Sequence, residues 1–404
     1  MGRKKLITSA EESLSQLGDK DSLSDILVQD INKKLGNTAF ILGEQEAPTD
    51  IKILVSTGST ILDTILTNGK WRNNGLPIRR LVECSGNTSA GKSLLANTVL
   101  INTQKMGGIP ILFDEENSTD VSLLVRMGLK VGKEAENSGV HKLVYLSAGN
   151  VESVFDAIES TIKKIREVGS KDFITIVWDS IAATPSKQEL EGSFEQEGYG
   201  MEKAKAISKG MRKITQFIGK EDVLLLFTNQ LRSSVGGFGF GAEKYSTPGG
   251  HAIPFHSSIR IRLSKITDIK KGDAVVGVTV QAHTRKNKIA PPARKCKFDI
   301  YFDHGIDDES SWFDNLIEKE IIKKKNNITR TIQLSEELGG LIEFKSSEWK
   351  TEVLNSQKRI DYVREQVIKA NIIDYSNLTP SLLMIDETEN EEKLNAISEE
   401  EIDT

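Results

Sequence analysis

The sequence predicts an α/β fold, a central and mostly parallel sheet with helices packed on both of its faces. Apolar runs of strand length at 109–113, 173–178 and 223–227 alternate with segments of helical periodicity, the pattern of strands buried on both sides. Each run ends in polar residues, Asp114-Glu115-Glu116, Asp179-Ser180 and Thr228-Asn229-Gln230, at the sheet edge where such folds bind ligands. A fourth run, 80–84, leads into Gly86-Asn87-Thr88-Ser89-Ala90-Gly91-Lys92-Ser93 and then a helix-like stretch, 94–103. That is the strand–loop–helix setting of a phosphate loop.

In chain order, residues 1–50 form an N-terminal segment. Residues 1–20 are polar. Ser22-Leu23-Ser24-Asp25 reads as a helix start, and Leu23, Ile26, Leu27, Ile31 and Leu35 recur at helical spacing up to Gly36, which ends the helix. This amphipathic helix packs on its own domain or on a neighbour's. A linker follows at 44–50. The α/β pattern then runs over 51–305. Helices are predicted at 61–66, 121–127, 151–168 and 201–218, with a short strand at 143–146. Residues 231–250 form a long glycine-rich loop, and structureless loops of that length are often functional. Residues 258–263, 274–282 and 297–302 read as antiparallel strands. Residues 306–384 are expected to form a small, helix-rich C-terminal domain, opening on Trp312, Phe313, Leu316, Ile317 and Ile321 at helical spacing. Residues 385–404 read as an acidic, disordered tail.

With 404 residues the chain has room for two or three domains. No run of about 18 apolar residues occurs, so no membrane association is expected. Cys84 and Cys296 are far apart in apolar or mixed runs and read as reduced residues of a cytoplasmic protein. The histidines are unclustered, which argues against a zinc site. Charge is uneven. Residues 386–404 hold nine acidic side chains and one lysine, a net of −8. Subtracting that from the chain's −5 leaves +3 for the body. A basic body with an acidic tail fits a nucleic-acid binder whose tail competes for the same surface. The other reading is a solvated tail with no such role.

Chemistry concentrates at four strand ends. In the phosphate loop the glycines let the backbone wrap a phosphate, and successive N–H groups with the helix N-terminus face the anion. Lys92 would reach the β- and γ-phosphates of ATP, and the Ser93 hydroxyl would hold Mg²⁺. The bland alternative is a tight glycine turn. Asp179 follows its strand in the Walker B manner and would bind Mg²⁺ through water. Glu116 is placed to orient and polarise an attacking water. Gln230 could hydrogen-bond the γ-phosphate or that water and report nucleotide state to the loop behind it. Taken singly, Asp179 could be a helix cap and Glu116 a surface acid.

The set resembles the bacterial RecA recombinases. The resemblance is carried by Ser56-Thr57-Gly58-Ser59, the phosphate loop, Phe113-Asp114-Glu115-Glu116, Trp178-Asp179-Ser180, Met211-Arg212-Lys213 and Asn229-Gln230-Leu231-Arg232. Thr247-Pro248-Gly249-Gly250 and Lys286-Asn287-Lys288-Ile289-Ala290-Pro291 extend it. It runs from about residue 22 to about residue 305, in the same order and with similar spacing.

The resemblance implies a RecA-type core and an ATP-dependent helical filament on single-stranded DNA that pairs it with homologous double-stranded DNA. It implies Glu116 as the catalytic carboxylate and Gln230 as the γ-phosphate sensor. Lys286 and Lys288 would reach the phosphates of ATP held by an adjacent subunit; as bare residues they could equally be a solvated strand face. Asp120 matches the adenine contact, and Phe302 an aromatic position near the nucleotide. Residues 185–200 and 232–250 match two DNA-binding loops, Lys205, Arg212 and Arg232 are basic residues of the DNA surface, and Gly249 and Gly250 supply backbone amides to it. Phe238 and Phe240, between glycines, are candidates to wedge between bases. The helix at 22–35 would dock on the neighbouring subunit. The chain departs from the family at Leu123, where an aromatic usually stacks on adenine, and at Glu189, Glu191, Glu195 and Glu197 in the first loop. Two other readings use the same core: a hexameric helicase motor, and an ATP-gated scaffold that coats DNA without turnover.

Overall fold

A computed structural model describes residues 21–36, 38–42, 47, 50–71, 73–192, 199–233 and 245–375. Phe238, Phe240, Glu195, Glu197 and the acidic tail lie outside these residues.

The described residues open with the helix Asp21–Leu35. A two-stranded antiparallel pair, β1 (Leu54–Val55) and β2 (Leu76–Pro77), flanks the helix Thr60–Thr67. The main sheet then accumulates β3 (Arg80–Gly86), β4 (Ile109–Asp114), β5 (Val144–Leu146), β6 (Ile174–Asp179) and β7 (Val223–Gln230). Two short strands, β8 (Arg232–Ser233) and β9 (Tyr245–Ser246), pair at the root of the glycine-rich segment. The sheet is completed by β10 (Ile259–Lys271), β11 (Ala274–Asn287), β12 (Lys295–Tyr301) and β13 (Gly305–Asp307). Its nine strands run in the order β13-β12-β11-β10-β3-β7-β6-β4-β5. The six from β10 to β5 are parallel, and the four strands of the apolar runs, β3, β4, β6 and β7, are among them.

Strand alternation divides the core into two layers. Ile111 and Phe113 of β4, Ile176 and Trp178 of β6, and Leu225 and Phe227 of β7 face the helices Val151–Glu167 and Tyr199–Ile218. There Phe155 meets Trp178 edge-on, ring centroids 5.3 Å apart. Leu112, Val177, Leu224 and Leu226 point the other way, against the helices Lys92–Lys105 and Thr60–Thr67. Both faces are therefore dry, and ligands are left the strand ends.

Two expectations need correction. The stretch 258–263 is not simply antiparallel: Ile259–Leu263 of β10 pairs parallel with β3 on one side and antiparallel with β11 on the other. Beyond Leu263 and before Gly277 the β10–β11 hairpin leaves both flanking strands and continues as a two-stranded ribbon. Its side chains are largely solvated, so the apolar alternation that marks a buried strand stops at the sheet edge. The C-terminal region is also less helical than predicted. Between the helices Asp308–Glu318 and Gln357–Ala370 it carries a three-stranded sheet of β14 (Lys323–Lys324), β15 (Thr329–Gln333) and β16 (Leu341–Lys345). Trp312, Phe344, Trp349, Val363 and Val367 bury against the same apolar layer as the phosphate-loop helix.

Candidate nucleotide and DNA site

The phosphate loop forms because β3 must turn sharply into the helix Lys92–Lys105. Gly91 sits at φ 85°, and a Cβ there would fall 2.4 Å from Ile300 Cδ1, so a side chain would be strained and would have to displace Ile300. Within the loop, Lys92 Nζ donates to the Asn87 carbonyl at 2.9 Å. The loop opens onto a cavity of about 310 Å³ lined by Thr88, Ser89, Ala90, Gly91, Lys92, Ser93, Leu94, Glu116, Asp179, Gln230, Val278 and Phe302. Residues far apart in sequence meet here because sheet register aligns their strand ends. Gly86 lies opposite Gln230, and Asp114 opposite Asp179.

Glu116 is exposed to this cavity. It is presented by a turn built on the buried Asp114 carboxylate, which accepts from the N–H groups of Glu116, Ser118 and Thr119 at 3.2, 3.0 and 3.0 Å. Ser180 donates its hydroxyl to Glu116. The peptide bond between Asp179 and Ser180 is cis. Asp179 is 7% exposed and accepts from the hydroxyls of Thr228 and Ser93. Burial, with the nearby Glu116 and Asp114 carboxylates, holds its carboxyl above the ordinary range despite those bonds. Buried oxygen donors crowded by like charge fit a hard divalent cation such as Mg²⁺.

Other expected residues lie around this cavity or away from it. Asn87 is at the loop tip, and Gly86 is buried beneath it. Asp120 does not line the cavity. It caps the helix Val121–Arg126, accepting from the Ser122 N–H at 2.8 Å, and hydrogen bonds from Ser122 hold its carboxyl low. That helix, which carries Leu123, reaches the turn presenting Phe302 through Arg126 Nε, 3.2 Å from the Asp303 carbonyl. Phe302 is half exposed.

Lys286 and Lys288 do not line the chain's own cavity. Lys286 Nζ donates to the Pro254 and Phe255 carbonyls, at 2.6 and 2.9 Å, in the short helix Ala252–His256. Arg212, Lys288 and Lys286 surround His256, which burial first and these cations second hold below its usual range. Lys205 pairs with Glu202 at 2.6 Å and Arg212 donates to Ser208 at 3.1 Å, both on the helix Tyr199–Ile218. Gly249 and Gly250 form a positive-φ turn at the far root of the glycine-rich segment, and the backbone of Arg232 belongs to β8 at the near root. Glu189 is committed locally, its carboxylate accepting from the Ser186 N–H at 3.1 Å in a capping box. Sequence reasoning missed Asp114 and Thr228 as supports. Their strand-end positions beside Glu116 and Asp179 were the available signal.

A phosphate loop at the edge of a parallel sheet, facing a strand-end carboxylate, defines a phosphate-loop ATPase. Residues 22–307 match the RecA N-terminal domain. The chain is 33% identical over 310 residues to Protein RecA of Wolinella succinogenes, covering 76% of this chain and 82% of that protein. It is 32% identical over 310 residues to Protein RecA of a Nitratiruptor species and 32% identical over 307 residues to that of Geobacter sulfurreducens, covering 76% of this chain in both cases and 83% and 84% of those proteins. The chain belongs to the RecA family of DNA recombinases, which bind ATP and hydrolyse it in a DNA-dependent manner. Among the described residues no helix is long and apolar enough to cross a membrane.

Proposed function

We propose that this chain assembles as a helical filament on single-stranded DNA, binds ATP with Mg²⁺ at the phosphate loop, and pairs the coated strand with homologous duplex. The observation that carries the reading is a site short of cations. Among the described residues Lys92 is the one cation lining the cavity, whereas Arg212, Lys286 and Lys288 gather elsewhere on the chain without a carboxylate partner among those residues. A second copy bringing Lys286 and Lys288 to the first copy's phosphates would complete it. The uncovered apolar face of the helix Asp21–Leu35, with Leu23, Leu27 and Leu35 at least half exposed, supports docking between copies.

In this reading Ser93 and Asp179 would hold Mg²⁺ beside the phosphates. Bound there, it would neutralise charge on the phosphate oxygens. Glu116, held by Ser180, orients water and accepts its proton. Lysines from the neighbour stabilise charge in the transition state as an arginine finger does, which ties turnover to assembly. Arg212, Lys205 and the turn at Gly249-Gly250 meet the DNA backbone independently of sequence. Both cysteines are buried and free, in keeping with a cytoplasmic protein.

The deciding experiment is steady-state ATP hydrolysis with and without single-stranded DNA, the same samples being imaged by negative-stain microscopy. Strong stimulation together with extended filaments is expected. DNA-independent turnover by closed rings would indicate a motor instead, and filaments without turnover a scaffold.

A further inference from the structure

Beneath the nucleotide cavity, Asn229 stands at a junction of four chain segments. It is fully buried near the end of β7, one residue before Gln230. Both hydrogens of its side-chain amide are used. One goes to Glu83 Oε1 of β3 at 3.0 Å, the other to the Pro248 carbonyl at 3.1 Å. Its Oδ1 accepts from the Gln230 N–H at 3.0 Å. Glu83, itself fully buried, is held on its other oxygen by Arg260 of β10. A primary amide is the one neutral side-chain group that supplies two donors and an acceptor from a single plane. Aspartate would offer no donor and would face Glu83 with like charge, and a hydroxyl could satisfy only one of the two acceptors.

The placement matters because of what each arm touches. Gln230 lines the nucleotide cavity. Pro248 begins the Pro248-Gly249-Gly250 turn that closes the glycine-rich segment, 19 residues along the chain from Asn229. Glu83 and Arg260 tie the junction to two neighbouring strands, so a turn of the amide plane that follows one arm is made at the expense of the other. A shift of Gln230 toward or away from a γ-phosphate therefore strains the bond to Pro248, and a displacement of the turn strains Gln230.

We propose that Asn229 is a positioning residue that couples the nucleotide cavity to the root of the glycine-rich segment, so that nucleotide and single-stranded DNA each set the other's affinity. The inference rests on the filament reading above. Such coupling is reciprocal, and its usual size is roughly 5- to 150-fold in affinity.

The test measures binding of a fluorescent oligo-dT by the full chain, by anisotropy, with and without ATPγS and Mg²⁺. The ratio of the two affinities is the coupling. Asn229→Ala should reduce the wild-type ratio by about tenfold or to unity, while ATPγS affinity measured without DNA changes by less than about threefold. Asn229→Ser, which keeps one donor, should give an intermediate ratio, and it carries the test if the alanine variant fails to fold. Folded variants with the wild-type ratio would make Asn229 merely structural and overturn the inference alone. A wild-type ratio of 1 would overturn the filament reading, and the inference with it.

Discussion

Ser180 Oγ lies 2.6 Å from Glu116 Oε1 and donates to it. One carboxylate oxygen is thereby fixed, and the other is left to face the cavity. Glu116→Gln should keep ATP affinity and lower turnover by about 10²- to 10⁴-fold, the usual contribution of a general base. Ser180→Ala removes one hydrogen bond to a charged group, worth about 1.5–3 kcal/mol. It should lower turnover less, again at unchanged nucleotide affinity. Steady-state hydrolysis beside equilibrium nucleotide binding separates the two terms, and normal turnover in Glu116→Gln would remove this residue from the mechanism.

Lys286 spends its charge on two backbone carbonyls of its own chain in this structure. If it acts on a neighbour's nucleotide, Lys286→Ala and Glu116→Gln should each be inactive alone. Mixed, they should regain part of the DNA-stimulated activity, because some junctions join an intact Glu116 to an intact Lys286. Mixtures no more active than either variant would place both residues in one subunit's site.

Leu27 on the helix Asp21–Leu35 is 54% exposed. Leu27→Asp puts a charge where an apolar contact between copies is proposed. Sedimentation should show monomers or short oligomers in place of filaments, with nucleotide binding by the single chain retained. Long filaments in this variant would dismiss the helix as an assembly element.

Asp63 and Asp308 are buried near one another, linking the helix Thr60–Thr67 to the C-terminal region. Asp63 accepts from Ser56 and Thr57, and Asp308 from Thr60. Burial outweighs these bonds and pushes Asp63 up to about 7 and Asp308 to about 6, from 3.8. Between pH 4 and 7 the folded chain thus holds protons that the unfolded chain has released. The stabilisation is complete below about pH 4 and is lost as pH rises through 6 and 7. Urea midpoints should fall over that range, and Asp63→Asn should flatten the decline. An equal slope in both proteins would refute the assignment.

The tail prediction depends on charge alone. Deleting residues 386–404 removes a net −8 and should tighten duplex binding, most at low salt where screening is weakest. Affinity unchanged across a salt titration would reject competition by the tail.

Much of the site was legible because its parts are contiguous in sequence. The phosphate loop is eight adjacent residues, and Glu116, Asp179 and Gln230 each follow an apolar run. What escaped is chemistry that depends on pairing across the sheet. Nothing local in Glu83 announces that Asn229, 146 residues away, will meet it. Nor does Lys286 declare that it will cap a helix 31 or 32 residues earlier. The C-terminal sheet was missed for a different reason. Lys323–Lys324 carries no apolar signal, and Ile332 is the one fully buried position of β15. Short strands that bury so little leave almost no period-2 trace.

The two apolar layers of the sheet have different endpoints in the chain, with a consequence for the order in which the protein matures. The layer under the helices Val151–Glu167 and Tyr199–Ile218 is complete once residue 253 is present. The opposite layer, which seats the phosphate-loop helix, draws on Trp312, Phe344 and Trp349 and closes only with Val367. During synthesis one side of the sheet can be sealed while the other is still wet for more than a hundred residues. A nascent chain in that interval carries a formed phosphate-loop sequence on an exposed apolar surface, and that surface is where chaperones or misassembly would act.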